Sequence, residues 1–150
     1  MAVVGNSKLI FRLGGMGFLL ELAAVVEVID QLAKDLDPGR SDIGRGIVAA
    51  LQFRKTWIPV IDPTLKLDIF SAVKLKEKKA VILNGSEGNW ALLVDQVEEL
   101  TAAENFQPCE IPFLLKVAAM GFYSQVKLLH QEPMIVFEPE RYYGSAVASA

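Results

Sequence analysis

The sequence predicts a mainly β protein built from many short strands. Apolar runs rich in β-branched and aromatic side chains give about seven to ten candidate strands. Turn signals separate these runs at intervals of roughly 8–12 residues, which is typical of small barrels or sandwiches. Of the 150 residues, 52% are hydrophobic and 22% are charged. Such a chain can bury a core as a single domain, or as two small intertwined units that share one core.

The first predicted element is a β-hairpin near the N-terminus. Residues 8–13 (KLIFRL) fit a strand whose alternate apolar side chains, from Leu9 to Leu13, lie on one face. The glycine-rich residues 14–17 allow a tight reversal of the chain. Residues 18–22 (FLLEL) then supply the return strand.

Residues 23–36 carry two competing patterns. Apolar side chains recur at helical spacing from Leu22 to Leu36, with charged residues opposite, and this favours a helix. The run AVVEVI at 24–29 is β-branched and fits a short strand equally well. We predict a helix here, with a strand followed by a loop as the open alternative.

The central element is a predicted hairpin at residues 46–62, which follows a loop at 37–46. Two apolar runs flank a polar break that contains Arg54 and Lys55. Pro59 cannot donate a hydrogen bond to a neighbouring strand, so the second strand is expected to lie at a sheet edge or to carry a bulge. Arg54 and Lys55 should project from the connection, where loop residues often contact partners.

The second part of the chain repeats the β pattern. A hairpin is predicted from residues 80–83 and 90–97 around the glycine-containing loop 84–89, and a further strand pair from 124–130 and 134–138. A short helix is predicted near 113–119.

The charged segment 73–79 (VKLKEKK) is predicted to be a solvated connector. It divides the single domain, residues 1–150, into approximate halves at 8–72 and 80–143. Residues 144–150 have little to pack against and are expected to form a disordered tail.

The sequence gives little support for catalysis, cofactor binding or metal binding. A nucleophile–base pair would have to combine Cys109 or a serine with His130, the single histidine, and neither lies in a recognisable motif. One cysteine and one histidine cannot build a zinc site. No phosphate-binding loop or dinucleotide fingerprint is present. We therefore expect no enzyme activity, no cofactor and no metal.

Charge and hydropathy limit the remaining classes. A net charge of −3 argues against a nucleic-acid binder, because neutralising phosphates requires clustered lysine and arginine. The lone cysteine cannot form an internal disulfide. Glu21 and Glu27 interrupt the N-terminal apolar run, so it fits neither a signal peptide nor a membrane span. A cytoplasmic protein without membrane insertion is expected.

Several segments, in order, resemble the CheW-like domains of bacterial chemotaxis coupling proteins. Members open with a strand–glycine–strand unit and a Val-x-Glu-[Ile/Val] step, continue with Gly-Val-Ile-Asn-Leu-Arg-Gly and Ile-Pro-Val-x-Asp-Leu, and later carry Leu-Leu-Val-Asp-x-Val. The matching segments here are FRLGGMGFLLEL, Val25-Val26-Glu27-Val28, Ala49-Ala50-Leu51-Gln52-Phe53-Arg54-Lys55, Ile58-Pro59-Val60-Ile61-Asp62-Pro63 and Leu92-Leu93-Val94-Asp95-Gln96-Val97. The likeness runs from about Lys8 to Tyr143.

The resemblance implies a fold of two intertwined, five-stranded, SH3-like β-barrels with short helices. It also implies a non-catalytic adaptor that links chemoreceptor cytoplasmic tips to the regulatory domain of the histidine kinase CheA. Residues matching Val25, Glu27 and Arg54 lie at or near the receptor-contacting region of the family, and Lys55 adjoins them. Alternatively, Val25 belongs to the core, and Glu27 and Arg54 form an ion pair that orders the groove.

This chain also departs from the family pattern. Ala49 and Lys55 replace glycines, Gln52 replaces asparagine and Pro63 replaces leucine. Lys55 adds bulk and charge where a partner would approach. One alternative is therefore a divergent regulatory module of a non-flagellar pathway that lacks standard receptor binding. Another is a small β-barrel enzyme or ligand binder that uses His130 or a carboxylate pocket.

Overall fold

Short hairpins dominate the fold, because tight turns repeatedly separate runs with strand-forming side chains. The computed structural model describes residues 7–32, 34–64, 69–102, 106–109, 126–129 and 132–140. Within these ranges the strands are β1 (Ser7–Leu13), β2 (Met16–Glu21), β3 (Val25–Ile29), β4 (Leu36–Asp37), β5 (Ile47–Phe53), β6 (Thr56–Ile61), β7 (Lys79–Gly85), β8 (Gly88–Val94), β9 (Gln96–Ala102), β10 (Phe106–Cys109), β11 (Val126–Leu129) and β12 (Glu132–Val136). Single 3₁₀ turns lie at Leu22–Ala24, Pro38–Arg40, Ile43–Arg45 and Leu75–Glu77.

The strands form two curled sheets. Sheet A has the order β10-β11-β12-β2-β1-β9, and sheet B has the order β3-β7-β8-β6-β5-β4. Most neighbours are antiparallel, but β12 runs parallel to β2 and β8 runs parallel to β6. The predicted mainly β class with two half-barrel units is confirmed. Each sheet has six strands rather than the five expected of each barrel, and in sheet B the two-residue β4 is one of the six.

The sheets share one core. Its side chains come from both sheets: Leu9, Phe11, Leu13, Phe18, Leu20, Ile61, Val81, Leu83, Trp90, Leu92, Val94, Ile135 and Phe137. A second cluster covers the other face of sheet B, where Ala80 and Ile82 alternate with the shared-core residues Val81 and Leu83 of β7. Because β7 is buried on both faces, its sequence reads as a continuous apolar run.

Several sequence-based elements are confirmed. The N-terminal hairpin is β1–β2, and Leu9, Phe11 and Leu13 all enter the shared core, whereas Ile10 packs on the opposite face of β1. The central hairpin is β5–β6, closed by the pair Phe53 and Thr56.

The later strands also lie where the pattern placed them. The hairpin predicted from residues 80–83 and 90–97 is β7–β8, and the final strand pair is β11–β12. The helix near 113–119 and the tail at 144–150 lie outside the described residues. The halves 8–72 and 80–143 stay a prediction, and each sheet takes strands from both.

The helix predicted over residues 23–36 is wrong. This segment instead forms a 3₁₀ turn, strand β3 and the start of β4. Val28 and Ile29 pair with Val81 and Ala80 of β7, which completes an edge of sheet B. The β-branched side chains fit that pleated surface, so tertiary pairing outweighs the helical spacing of the apolar residues.

The expected edge position of β6 is also wrong. This strand lies inside sheet B, between β5 and β8. The parallel pairing with β8 begins only at Val60, one residue beyond Pro59, so the missing N–H of Pro59 interrupts no pairing with β8. The bulge of this hairpin lies in β5 instead, between Ile47 and Ala49.

The connector at residues 73–79 is not a uniformly solvated face. Lys78 is only 5% exposed, and its ammonium group lies 3.4 Å from Asp95 and 3.7 Å from Asp62. A lysine is buried in this way only when carboxylates compensate its charge. The charge pattern could not show this, because both carboxylates come from distant parts of the chain.

Candidate partner-binding site

The candidate site lies where β3 approaches the β5–β6 turn. Strand β3 contains a bulge, since Val25 pairs with Leu83 whereas Glu27 pairs with Ile82. Leu83 and Ile82 point to opposite faces of β7, one into the shared core and one into the second cluster. The bulge therefore turns Val25 and Glu27 to different faces, as bulges near functional sites often do.

Val25 packs against the shared core and is half-buried. Its apolar surface thus contributes to the junction of the two sheets, as in the alternative reading of this residue. Glu27 is an exposed residue on the other face. Of this pair, Glu27 is the one whose functional group is available at the surface.

Arg54 and Lys55 form the two-residue turn between β5 and β6. Both have a positive φ, of 50° and 66°, which is the geometry of a type I′ turn. Asparagine followed by glycine is usual there, because side chains strain a left-handed backbone at a cost of about 1 kcal/mol or more per residue. The family glycine at position 55 fits this backbone, and Lys55 occupies it without that advantage.

The structure brings Arg54 and Glu27 together. A guanidinium nitrogen of Arg54 lies 3.6 Å from a carboxylate oxygen of Glu27, and the guanidinium also lies 4.7 Å from the ring centre of Phe53. The two charged side chains are 66% and 48% exposed, so the pair contributes only about 0–1 kcal/mol to stability. Among the described residues no ion pair involves Lys55. The site is a charged, solvent-facing rim on sheet B.

Sequence reasoning missed a second feature of the same hairpin. The guanidinium of Arg40 lies 4.3 Å from the centre of the Trp57 ring, and Trp57 is 40% exposed. Arg40 was assigned only to a loop and Trp57 only to a core strand. No sequence signal pointed to this contact, because the exposure of Trp57 depends on the fold and Arg40 comes from a separate 3₁₀ turn.

A buried polar centre joins the two sheets. Besides its ion pair with Lys78, Asp95 accepts hydrogen bonds from the backbone N–H of Gly14 and the hydroxyl of Ser71, each at 2.7 Å. Asp62 faces the same ammonium group and accepts hydrogen bonds from Thr64. The aspartate of the Leu-Leu-Val-Asp-x-Val step therefore has a structural role between the β1–β2 turn and the connector.

A third charged cluster lies on sheet A. Arg12 donates two hydrogen bonds to the Glu132 carboxylate, at 2.6 and 3.0 Å, and one to Glu98 at 2.7 Å. The hydrogen bonds to Glu132, followed by the one to Glu98, raise the pKa of Arg12 above its usual range, and the hydrogen bonds from Arg12 lower the pKa of Glu132. This cluster links β1, β9 and β12.

The two residues singled out for catalysis were Cys109 and His130. Cys109 ends strand β10 rather than lying in a loop, and His130 lies outside the described residues. In the described part of the chain no group of three or more histidine, cysteine or acidic side chains is arranged to hold a metal. No helix within the described ranges has the length and hydropathy needed to span a bilayer.

Two sheets curled like half-barrels around a shared core place the chain in a mainly β class of protein. A family model described as CheW-like domain matches residues 8–146, and the chain belongs to that family. Members of the family are non-catalytic scaffolds, which supports a coupling or adaptor role of the chemotaxis type in general.

Comparison with solved structures agrees on the fold. The chain is similar to the scaffolding protein TtCheW from Thermoanaerobacter tengcongensis, with a TM-score of 0.71 and 18% sequence identity over 91% of this chain and 90% of that chain. At this identity the match shows a shared fold. A search of curated proteins gives no match.

Proposed function

We propose that the protein is a non-catalytic adaptor that couples a chemoreceptor cytoplasmic tip to the regulatory domain of the histidine kinase CheA. The rim formed by Glu27, Arg54 and Lys55, with Val25 behind it, is the proposed receptor-contacting surface. The adaptor acts in the cytoplasm, binds no nucleic acid and inserts no segment into the membrane.

The exposed ion pair between Glu27 and Arg54 is the observation that carries this proposal. Glu27 belongs to strand β3 and Arg54 to the β5–β6 turn, and both match family positions at or near the receptor-contacting region. The pair adds little to stability at its exposure, so a structural role alone gives a weak reason for joining them. A preformed pair of opposite charges can also fix the register of a partner.

The test measures binding of the full chain to a receptor-tip fragment and to the CheA regulatory domain of the same host. Arg54→Glu places two like charges at the rim and should weaken receptor-tip binding about tenfold or more. The melting temperature should change little, because both side chains are exposed. Binding of neither partner by the unmodified chain at micromolar concentration contradicts the proposal.

A charge swap serves as the matched control. The double variant Glu27→Arg with Arg54→Glu restores the ion pair with reversed direction and should keep the fold. If the rim contacts the receptor, the swapped protein stays defective, because the partner meets reversed charges. If the pair only orders the groove, the swap recovers receptor binding. That recovery contradicts a direct contact.

Lys55 supports a second candidate, a regulatory module that binds the kinase but not a standard receptor. Its side chain extends from the rim where the family has glycine, and it adds a positive charge. The variant Lys55→Gly distinguishes the two candidates. A gain of receptor-tip binding in this variant, with kinase binding unchanged, favours the regulatory module. Equal receptor binding by both forms favours the adaptor.

A further inference from the structure

Arg40 and Trp57 form a second exposed surface, which we call the Arg40–Trp57 platform. Trp57 lies directly opposite Gln52 in the β5–β6 pairing, on a stretch where both residues are exposed. Arg40 ends the 3₁₀ turn that follows the edge strand β4. Its guanidinium lies 4.3 Å from the centre of the Trp57 ring, although the Arg40 side chain is 54% exposed.

Asp37 holds this arginine in position. One carboxylate oxygen of Asp37 accepts a hydrogen bond from the Gly39 N–H at 2.9 Å, which caps the 3₁₀ turn. The other oxygen accepts from Nε of Arg40 at 3.3 Å. Neither terminal guanidinium nitrogen of Arg40 has a hydrogen-bond partner among the described residues. The planar fork is thus oriented by Asp37 and Trp57, with its outer edge open to solvent.

This arrangement suits a carboxylate. Arginine presents parallel N–H groups that match the two oxygens of a carboxylate, and stacking on an aromatic ring reduces the entropy lost when it binds. The exposed indole beside the guanidinium offers apolar contact area, and tryptophan and arginine are the side chains most enriched at binding hot spots. An acidic side chain with an adjacent apolar group would use both parts of the platform.

The charges near the platform favour an acidic polypeptide. Arg54 and Lys55 form the turn that ends two residues before Trp57, so three basic residues lie along this end of the hairpin in a protein of net charge −3. Asp37 is bonded to Arg40 and Glu27 is paired with Arg54, so carboxylates interrupt these basic residues and would repel a continuous phosphate backbone, whereas an isolated carboxylate can avoid them. Nucleic-acid binding requires clustered basic residues without such interruptions.

The geometry points to the Arg40–Trp57 platform as a docking site for an acidic segment of a protein partner, in which a carboxylate pairs with Arg40 and an apolar side chain packs on Trp57. The inference deepens the proposed adaptor function and rests on it, since it names the chemistry that one partner must present beside the Glu27–Arg54 rim.

The test titrates the isotope-labelled full chain with a poly-L-glutamate oligomer at low salt and follows the two indole N–H signals by NMR. The Trp57 signal should shift, while that of Trp90, which is 1% exposed, should not. Arg40→Gln should weaken binding about tenfold, the usual effect of losing a charged hydrogen bond. Arg40→Lys should stay within about threefold of Arg40→Gln, because an ammonium group lacks the planar fork.

The matched control is Lys74→Gln, which removes one exposed positive charge on another segment. It should bind poly-L-glutamate almost as the unmodified chain does. The inference is overturned if Lys74→Gln costs as much as Arg40→Gln, or if Arg40→Lys binds fully, since either result means that net charge alone is sensed. Equal or tighter binding of a single-stranded oligonucleotide also overturns it and assigns the platform to nucleic acid.

The outcome is separable from that of the adaptor proposal. If the receptor tip and the CheA domain fail to bind while poly-L-glutamate binding still depends on Arg40, the adaptor proposal fails and the platform remains as an acidic docking surface. If both proteins bind and Arg40→Gln alters neither their binding nor that of poly-L-glutamate, the platform alone is refuted.

Discussion

Two hairpin turns share a backbone conformation but not an environment. The β1–β2 turn is Gly14-Gly15, with φ of 56° and 87°, and the β5–β6 turn is Arg54-Lys55, with φ of 50° and 66°. The first is held between the sheets, where the Gly14 N–H is bonded to Asp95. The second faces solvent. The same positive-φ backbone is thus adopted by two glycines in the β1–β2 turn and by two basic residues in the β5–β6 turn.

The two turns differ in the space around their backbones, and this space decides which residues can occupy each turn. A Cβ atom at Gly14 would lie 2.1 Å from the carbonyl oxygen of Phe70 and 2.8 Å from a methyl carbon of Ile69, so only glycine fits. The Arg54-Lys55 turn has room, and its cost is backbone strain alone. Strain of this kind tends to persist at functional sites, which agrees with a partner-binding role for the second turn.

The largest expected effect comes from filling the first turn. Gly14→Ala forces the backbone at Phe70 away from the β1–β2 turn and should destabilise the protein by about 3 kcal/mol or prevent folding. Gly15→Ala is the matched control, because φ is also positive there but no atom lies within 4 Å of the added Cβ. It should cost about 1 kcal/mol, from strain alone. Urea unfolding measures both, and equal costs would contradict the steric explanation.

The next largest difference in stability is expected between variants that break the ion pair beside each turn. Among the described residues, Asp95→Asn leaves the ammonium of Lys78, whose side chain is 6% exposed, with Asp62 as its one remaining counter-charge and should cost about 3 kcal/mol. Arg54→Ala breaks an exposed pair and should cost below about 1 kcal/mol. The midpoints of urea unfolding give both values. A loss at Arg54 as large as that at Asp95 would show that the rim is structural.

A smaller effect, a gain in stability, is expected from removing the backbone strain of the second turn. Lys55→Gly removes the strain of a positive φ, partly offset by the greater freedom of glycine in the unfolded chain, so stability should rise by about 0.5–1 kcal/mol. This corresponds to a melting temperature higher by about 2–3 °C in a protein of this size. Lys55→Ala, which keeps the strain, should show no such gain. If alanine stabilises as much as glycine, strain at position 55 is not the cause.

The smallest expected effect on stability comes from the ion pair between Arg12 and Glu132, next to the first turn. Arg12 donates to the Gly15 carbonyl as well as to Glu132, and it lowers the pKa of Glu132 below the ordinary 4.5. A lowered folded-state pKa stabilises the protein above the ordinary pKa, and this contribution is lost as the pH falls through the folded value. The Glu132 side chain is 44% exposed, so the contribution stays below about 1 kcal/mol.

The measurement is the urea midpoint of the unmodified chain and of Glu132→Gln between neutral and acidic pH. The two stability curves should converge as the pH falls below the ordinary carboxyl value, because protonated glutamic acid and glutamine are similar in charge. Curves that stay parallel down to the lowest pH would exclude a contribution from this ion pair.

The sequence predicted the local elements well. Hairpins such as β1–β2 and β5–β6 depend on neighbouring residues, so alternating side chains and turn residues were sufficient to locate them. The helix prediction for residues 23–36 failed because strand β3 depends on pairing with β7, which lies about fifty residues further along the chain. Spacing within a single segment cannot report that contact.

The site was predicted only in part. Family likeness pointed to Glu27 and Arg54, and the structure places them 3.6 Å apart. Their role in partner binding stays a prediction. The position of Lys78 and the stacking of Arg40 on Trp57 could not be foreseen, since each joins residues from distant segments. Such contacts follow from the curl of the sheets, which no single segment encodes.

The strand order of sheet A also has a consequence for synthesis on the ribosome. Sheet B uses an uninterrupted stretch, from β3 to β8, whereas the β1–β2 hairpin is flanked by β9 and β12. At about 5–20 residues per second, the first hairpin must wait on the order of ten seconds for its last partner. Its apolar faces and both edges are unprotected during that time, so nascent chains stalled before β9 are the form most exposed to aggregation and to chaperone capture.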